Sequence, residues 1–311
     1  MRLYPIKAKC DLQHSKIRIA ALTHACFCRF CDIKDSPMSR KRFFKFRLTR
    51  KQKRRLVTFA VLVLFIAGGF WCYKHPPRSW GKRTELIPGA PKITFVIDDI
   101  GFHDKYRNQL AALGSDVTYA ILPLLPYSRY FGHLSEKTHA EVILHMPLDT
   151  VQDMVPGRGL LVGTMTRDAV LEMLARDLNS VPHHVGANNH MGSRGTTDRE
   201  MMSIILKDLK RRHLFFLDSY TTKDSVVPEI CRSVGLSVLT RGIFLDNSDS
   251  KTAIQAEIQK LKKIAREKGS AISIGHYRKN TLEVLAREIP RLRAQGFEII
   301  SLKEHLRFQR D

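Results

Sequence analysis

The chain has 311 residues, enough for one large domain or two small ones, and its 43% hydrophobic content is ordinary for a globular protein with a filled core. Its net charge is +22, from 52 Lys/Arg against 30 Asp/Glu. Residues 1–55 hold 17 of those cations and 3 of the anions, so +14 sits there and only +8 on the rest. The excess is densest from Arg40 to Arg55, directly before an apolar run, which argues for membrane orientation and against a nucleic-acid partner.

That run, Leu56 to Trp71, contains no charge. It is near the minimum for a spanning helix and slightly long for the apolar core of a signal peptide. Residues 56–73 are therefore expected to form a transmembrane anchor or signal segment. The basic segment 1–55 would stay on the cytoplasmic side and the C-terminal part outside. No function is assigned to residues 1–37, which need not belong to the mature protein, because Met38 opens a segment (MSRKRFFKF) that is already a membrane-targeting start. Cys26-x-Cys28-x-x-Cys31 lacks the second half of a metal cluster. Cys231 stands alone beyond Cys72, so the outer domain has no internal disulfide.

Lys74 to Lys92, with four prolines and two glycines, reads as a linker. From 93 to 311 short apolar runs alternate with amphipathic ones. Strands are expected over Ile93–Ile97, Val117–Leu122, Glu141–His145, Leu214–Leu217, Ser237–Leu245, Ala271–Ile274 and Phe297–Ser301. Apolar residues at helical spacing predict helices over Arg167–Asn179, Thr197–Arg212 (capped by Thr197 or Asp198), Ile254–Lys268 and Thr281–Arg293. Gly269 and Gly296 stand at stop positions. The alternation implies a parallel sheet covered by helices, as a barrel or an open doubly wound sheet. Asp98-Asp99-Ile100-Gly101 has one glycine and is not a dinucleotide fingerprint.

The residues at and just past the strand ends are polar: Asp98-Asp99, His145, Gly186-Ala187-Asn188-Asn189-His190-Met191-Gly192-Ser193, Asp218-Ser219, Asp246-Asn247 and His276. In a parallel β/α barrel these ends share one face. Each alone has a plain structural reading, as a helix cap or a satisfied histidine. Together, one carboxylate and two imidazoles make a metal triad with open positions, and Asp99, His145 and His190 are the candidates. Asp98 is then available as a general base, and His276 as a proton donor with Asp218 or Asp246 orienting its ring. Asp218 is counted with the catalytic groups, and Asn188, Asn189 and Asp246 as substrate contacts. Adjacent strand residues point to opposite faces, so for both aspartates to reach the site the strand must end at Asp98 and turn near Gly101.

At these residues the sequence resembles a known family. Asp98-Asp99-x-Gly101 is similar to the first motif of NodB-type polysaccharide deacetylases. The set VIDDIG (96–101), AILP (120–123), EVILHMPL (141–148), GANNHMGS (186–193), FFLDS (215–219), FLDN (244–247) and IGH (274–276), with Thr281 beyond, resembles the divergent polysaccharide deacetylase family, over about Lys92 to Leu302. The resemblance implies a distorted parallel (β/α) barrel of NodB type. It also implies hydrolysis of acyl groups on a glycan with a divalent metal such as zinc, Asp98 as base and Asp99 as ligand. His145 matches the second motif and His276 the last. One departure is Asp149, four residues after His145, where NodB enzymes commonly carry a second histidine. His190 is proposed in its stead. The expected setting is a bacterial inner membrane with the domain facing the periplasm or cell exterior, or secretion after cleavage. The alternative function is a non-catalytic glycan-binding or envelope-assembly protein that keeps the fold.

Overall fold

A computed structural model describes residues 89–309, together with the isolated positions 49–51 and 58–59. Apart from those five positions, the expected basic segment and anchor lie outside the described residues, as does most of the linker. Among the described residues no helix is long and apolar enough to cross a membrane.

The strands form where apolar runs can be buried on both faces. They are β1 (Lys92–Ile100), β2 (Thr118–Ile121), β3 (Val142–Leu148), β4 (His184–Met191), β5 (Phe215–Asp218), β6 (Val238–Thr240), β7 (Ile243–Phe244), β8 (Ser270–His276) and β9 (Glu298–Ile299). All pair in parallel, in the order β6-β5-β4-β3-β2-β1-β8-β7, with β9 against the start of β1. The helices are α1 (Arg107–Ala112), α2 (Ser128–Thr138), α3 (Arg167–Ser180), α4 (Arg199–Arg211), α5 (Val227–Val234), α6 (Lys251–Lys268), α7 (Lys279–Ala294) and α8 (Leu302–Phe308). Side chains cap several of them: Thr166 accepts from the Ala169 amide, Asp198 from Met201 and Ser250 from Ala253, each satisfying an otherwise orphan donor.

The sequence expectation of one strand over Ser237–Leu245 is corrected. This stretch is two strands on opposite edges of the sheet, joined through Arg241 and Gly242 alone. The Arg241 amide donates to the Asp218 carbonyl of β5, and the next amide, Gly242, to the Ile272 carbonyl of β8. The barrel is therefore curled and incompletely closed: its hydrogen-bond path is open between β6 and β7, and the two lips are bridged by consecutive amides.

Side-chain alternation sorts the core into two layers. Val96, Ile143, Phe215, Leu217, Ile272 and Ile274 pack together inside the curl. Phe95, Ile97, Tyr119, Leu144, Ala187 and Phe216 pack outward against the helices. Removing one such fully buried Leu, Ile or Phe side chain would cost roughly 2–5 kcal/mol. This parity decides which strand-end residues can meet.

Candidate metal centre and strand-end cluster

Counting in twos from the inner layer, Val96 leads to Asp98, Ile143 to His145, Leu217 to Ser219 and Ile274 to His276. On β4, Ala187 faces outward, so Asn188 and His190 face inward. Asp98, His145, Asn188, His190, Ser219 and His276 are thus aimed into one end of the curl.

Asp99 has the wrong parity, and the backbone corrects it. The sequence reading had the strand end at Asp98; instead β1 continues to Ile100 with a register shift between Ile97 and Ile100. Asp99 sits in that bulge with φ of +64°, a conformation uncommon for a residue other than glycine. The extra residue turns both aspartates to the inner side and returns Ile100 to the outer layer. Gly101, with φ of +136°, then turns the chain.

Three donor atoms converge there. Asp99 Oδ1 is 3.3 Å from His145 Nε2 and 3.1 Å from His190 Nδ1, and the two nitrogens are 3.0 Å apart. Two tests bear on a metal at this point. First, Asp99 Oδ1 is buried and has no hydrogen-bond partner although two imidazole nitrogens are near it, as for lone pairs aimed at a shared centre. Ligand atoms about 2.1 Å from one ion are themselves about 3.0–3.4 Å apart at octahedral to tetrahedral angles. Second, the His145 tautomer is fixed. Asn188 Nδ2 donates to Asp98 Oδ1 at 2.9 Å, so Asn188 Oδ1 accepts, and His145 Nδ1 donates to it at 2.8 Å. The Nε2 lone pair of His145 is left facing Asp99, the orientation a ligand requires. The donor set fits a divalent ion of the zinc type.

Asp98 lies beside this triad, its Oδ2 3.6 Å from His145 Nε2. Burial raises its pKa above the usual carboxylate range, against the opposing pull of His145 and His276. For Asp99 burial works the same way, but contacts with His145 and His190 outweigh it and hold the carboxyl well below that range. The two adjacent carboxyls are thus separated in acidity by their surroundings.

His276 is oriented by Asp246, not Asp218. Its Nδ1 donates to Asp246 Oδ1 at 2.7 Å and its amide to Oδ2 at 2.8 Å, while Thr281 Oγ1 donates to Oδ2 at 2.6 Å. Gly275 permits this: a Cβ there would lie 2.7 Å from Thr281 Cγ2. Burial opposes charge on His276, but the Asp246 contact outweighs it and raises the imidazole pKa. Phe244 stacks on the same ring, centroids 6.0 Å apart.

The remaining candidates sit elsewhere. Asp218 has the outward parity of Phe216; its oxygens accept from the Tyr220 amide and Ser225 Oγ, organising the loop after β5. Asn189, also outward, accepts from the Ser219 amide and donates to the Met191 carbonyl. Asn188, Asn189 and Asp246, expected as substrate contacts, are all buried and bonded to protein. Asp149 is paired with Arg194 and is not in the triad. The sequence reading missed Arg241, whose guanidinium donates to the Ser219 and Tyr220 carbonyls and lies 3.7 Å from the Phe244 ring centroid. Its signal was a lone cation in RGIFLDN, between two apolar runs.

Known proteins share the family and the fold of this chain. The model of the divergent polysaccharide deacetylase family matches residues 95–306. An uncharacterized protein of Haemophilus influenzae is 36% identical over 208 residues, covering 67% of this chain and 74% of that one. The uncharacterized protein YibQ of Escherichia coli is 32% identical over 196 residues, covering 63% of this chain and 61% of that one. A solved structure of an uncharacterized Agrobacterium tumefaciens protein shares the fold, with a TM-score of 0.65 at 18% identity over 69% of this chain and 88% of that one. The chain belongs to the divergent polysaccharide deacetylase family.

Proposed function

We propose that the protein is a metal-dependent hydrolase that removes acyl groups, acetyl foremost, from a polysaccharide or oligosaccharide of the cell envelope. The observation that carries this reading is the placement of Asp98 beside three convergent ligand atoms, with His276 on the same inner face and within electrostatic reach of Asp98 and Asp99. Asp99, His145 and His190 would hold the ion. When bound, it supplies Lewis acidity to an acyl oxygen and to water.

The chain's own groups do the rest. Asp98, its pKa raised by burial, takes a proton from the attacking water. Asn188 keeps Asp98 and His145 in register through one amide. His276, held by Asp246, whose contact favours the charged imidazole, gives a proton from Nε2 to the departing amine or alkoxide. Burial of Asn188 and Asp246 supports positioning roles for both. The basic block before the apolar run of residues 56–71 supports an anchored or secreted domain working outside the inner membrane.

The test is acetate release from acetylated chitin- or peptidoglycan-derived oligosaccharides by zinc-loaded protein. Asp98→Asn is expected to keep the ion and lose turnover by roughly 10²–10⁴-fold, the usual share of a general base. Loaded protein without turnover on any acylated glycan would instead favour a glycan-binding or envelope-assembly role on the same fold.

A further inference from the structure

Far from the strand ends, the structure gathers another set of metal-ligand side chains. His133 and Glu136 lie one turn apart on one face of α2. His183 lies between α3 and β4, with φ of +64°. Its Nε2 is 3.1 Å from Glu136 Oε1 and 3.3 Å from His133 Nδ1, and His133 Nδ1 is 3.9 Å from Glu136 Oε2. The rings meet edge to face with centroids 5.3 Å apart.

The backbone holds this cluster together. Gly132 backs directly onto Pro182: a Cβ on Gly132 would lie 2.7 Å from Pro182 Cδ and 2.9 Å from its carbonyl oxygen. Glycine at 132 thus lets the helix close on the turn, and the next residue of each segment, His133 and His183, is brought face to face. Among the described residues the ion-pair partners of Glu136 are these two imidazoles, so no Lys or Arg occupies its carboxylate. One proton can fill the gap between the two nitrogens; one divalent cation satisfies all three donors.

We propose that His133, Glu136 and His183 form a second divalent-metal site, taking zinc, nickel or copper(II), at the end of the sheet opposite the strand-end cluster. Two imidazoles and a carboxylate are the donor set such ions prefer. The side chains are 41–59% exposed, so an ion enters freely and completes its shell with water. His183 precedes β4 and His190 lies near its end, seven residues on, so the two sites are roughly 20 Å apart. An ion at this distance does not join the strand-end chemistry; it staples α2 to the turn before β4.

Full-chain protein is titrated with Cu²⁺, followed by calorimetry and by the visible absorption of the ion. His133→Gln with His183→Gln is expected to remove one binding event and leave any other unchanged. Asp99→Asn with His190→Gln is expected to retain the event that the first pair removes. Zn²⁺ is expected to raise the melting temperature of this second variant, and not that of the variant carrying all four changes. Isotherms unaltered by the His133/His183 pair would overturn the proposal. So would loss of all binding in an Asp99/His190 variant whose circular dichroism matches the parent protein.

Discussion

Asn188 and Asp98 meet through a 2.9 Å amide-to-carboxylate hydrogen bond, and the other end of the same amide accepts from His145. One side chain therefore sets both the position of a carboxyl and the tautomer of an imidazole. Asn188→Ala is expected to weaken zinc binding by roughly 10–100-fold, the usual effect of losing a group that orients a metal ligand. Competition against a chromophoric chelator reads this directly. Equal affinity in variant and parent would show that His145 needs no such support.

Asp246 is expected to govern the pH range in which His276 is charged. Burial disfavours the imidazolium, and the Asp246 contact raises the pKa in spite of it. Asp246→Asn removes the raising influence, so His276 loses its proton at a lower pH than in the parent. A proton donor works only while protonated, so the alkaline limb of the activity profile moves to lower pH. Imidazole resonances of His276 followed by NMR give the same shift without an assay. A His276 titration unmoved by the substitution would rule the coupling out.

Asp177 on α3 predicts a pH dependence of stability. It is fully enclosed, neither oxygen has a hydrogen-bond partner, and burial pushes its pKa up to about 8. Unfolded, it ionises near 3.8. Between these values the unfolded chain has released a proton that the folded chain retains, so folding loses ground as pH rises from about 4 to about 8. The full difference is on the order of 5 kcal/mol, at about 1.4 kcal/mol per pH unit. Asp177→Asn is expected to flatten this slope, making the variant more stable than the parent at pH 8 and not at pH 4. Urea midpoints across that range check it, and parallel curves for the two proteins would refute it.

The sequence carried the parallel β/α alternation and the four longer helices because their apolar spacing is regular. It hid β4, whose inward positions Asn188 and His190 are polar because they face the site, and whose Gly186 leaves room for the Phe215 ring. The break at Arg241–Gly242 was marked by a cation and a glycine between two short apolar runs, which read as one strand because nothing local shows that they lie on opposite edges of a sheet. Asp99 was legible as a ligand candidate, but the positive φ that delivers it, which aspartate tolerates better than most residues, is set by the bulge in β1 and not by any local pattern. Asp218 was misplaced because a strand-end acid announces its position and not its parity; one step along β5 sends it outward. The choice between Asp218 and Asp246 as partner of His276 needed the fold, because 30 residues separate Asp246 from His276. The His133/Glu136/His183 cluster was not legible because α2, which brings His133 and Glu136 to His183, was not among the expected helices and lies some 50 residues away in the chain.

The two consecutive amides that bridge β5 and β8 bear on how the protein behaves in a crowd. An open parallel sheet has two bare rims, each a template on which another chain can add a strand and begin to aggregate. Here the rims curl toward each other and are spanned by a single peptide unit at residues 241–242. A foreign strand has no entry between them without breaking that span. The split in the barrel thus shields the β6 and β7 edges from neighbouring chains.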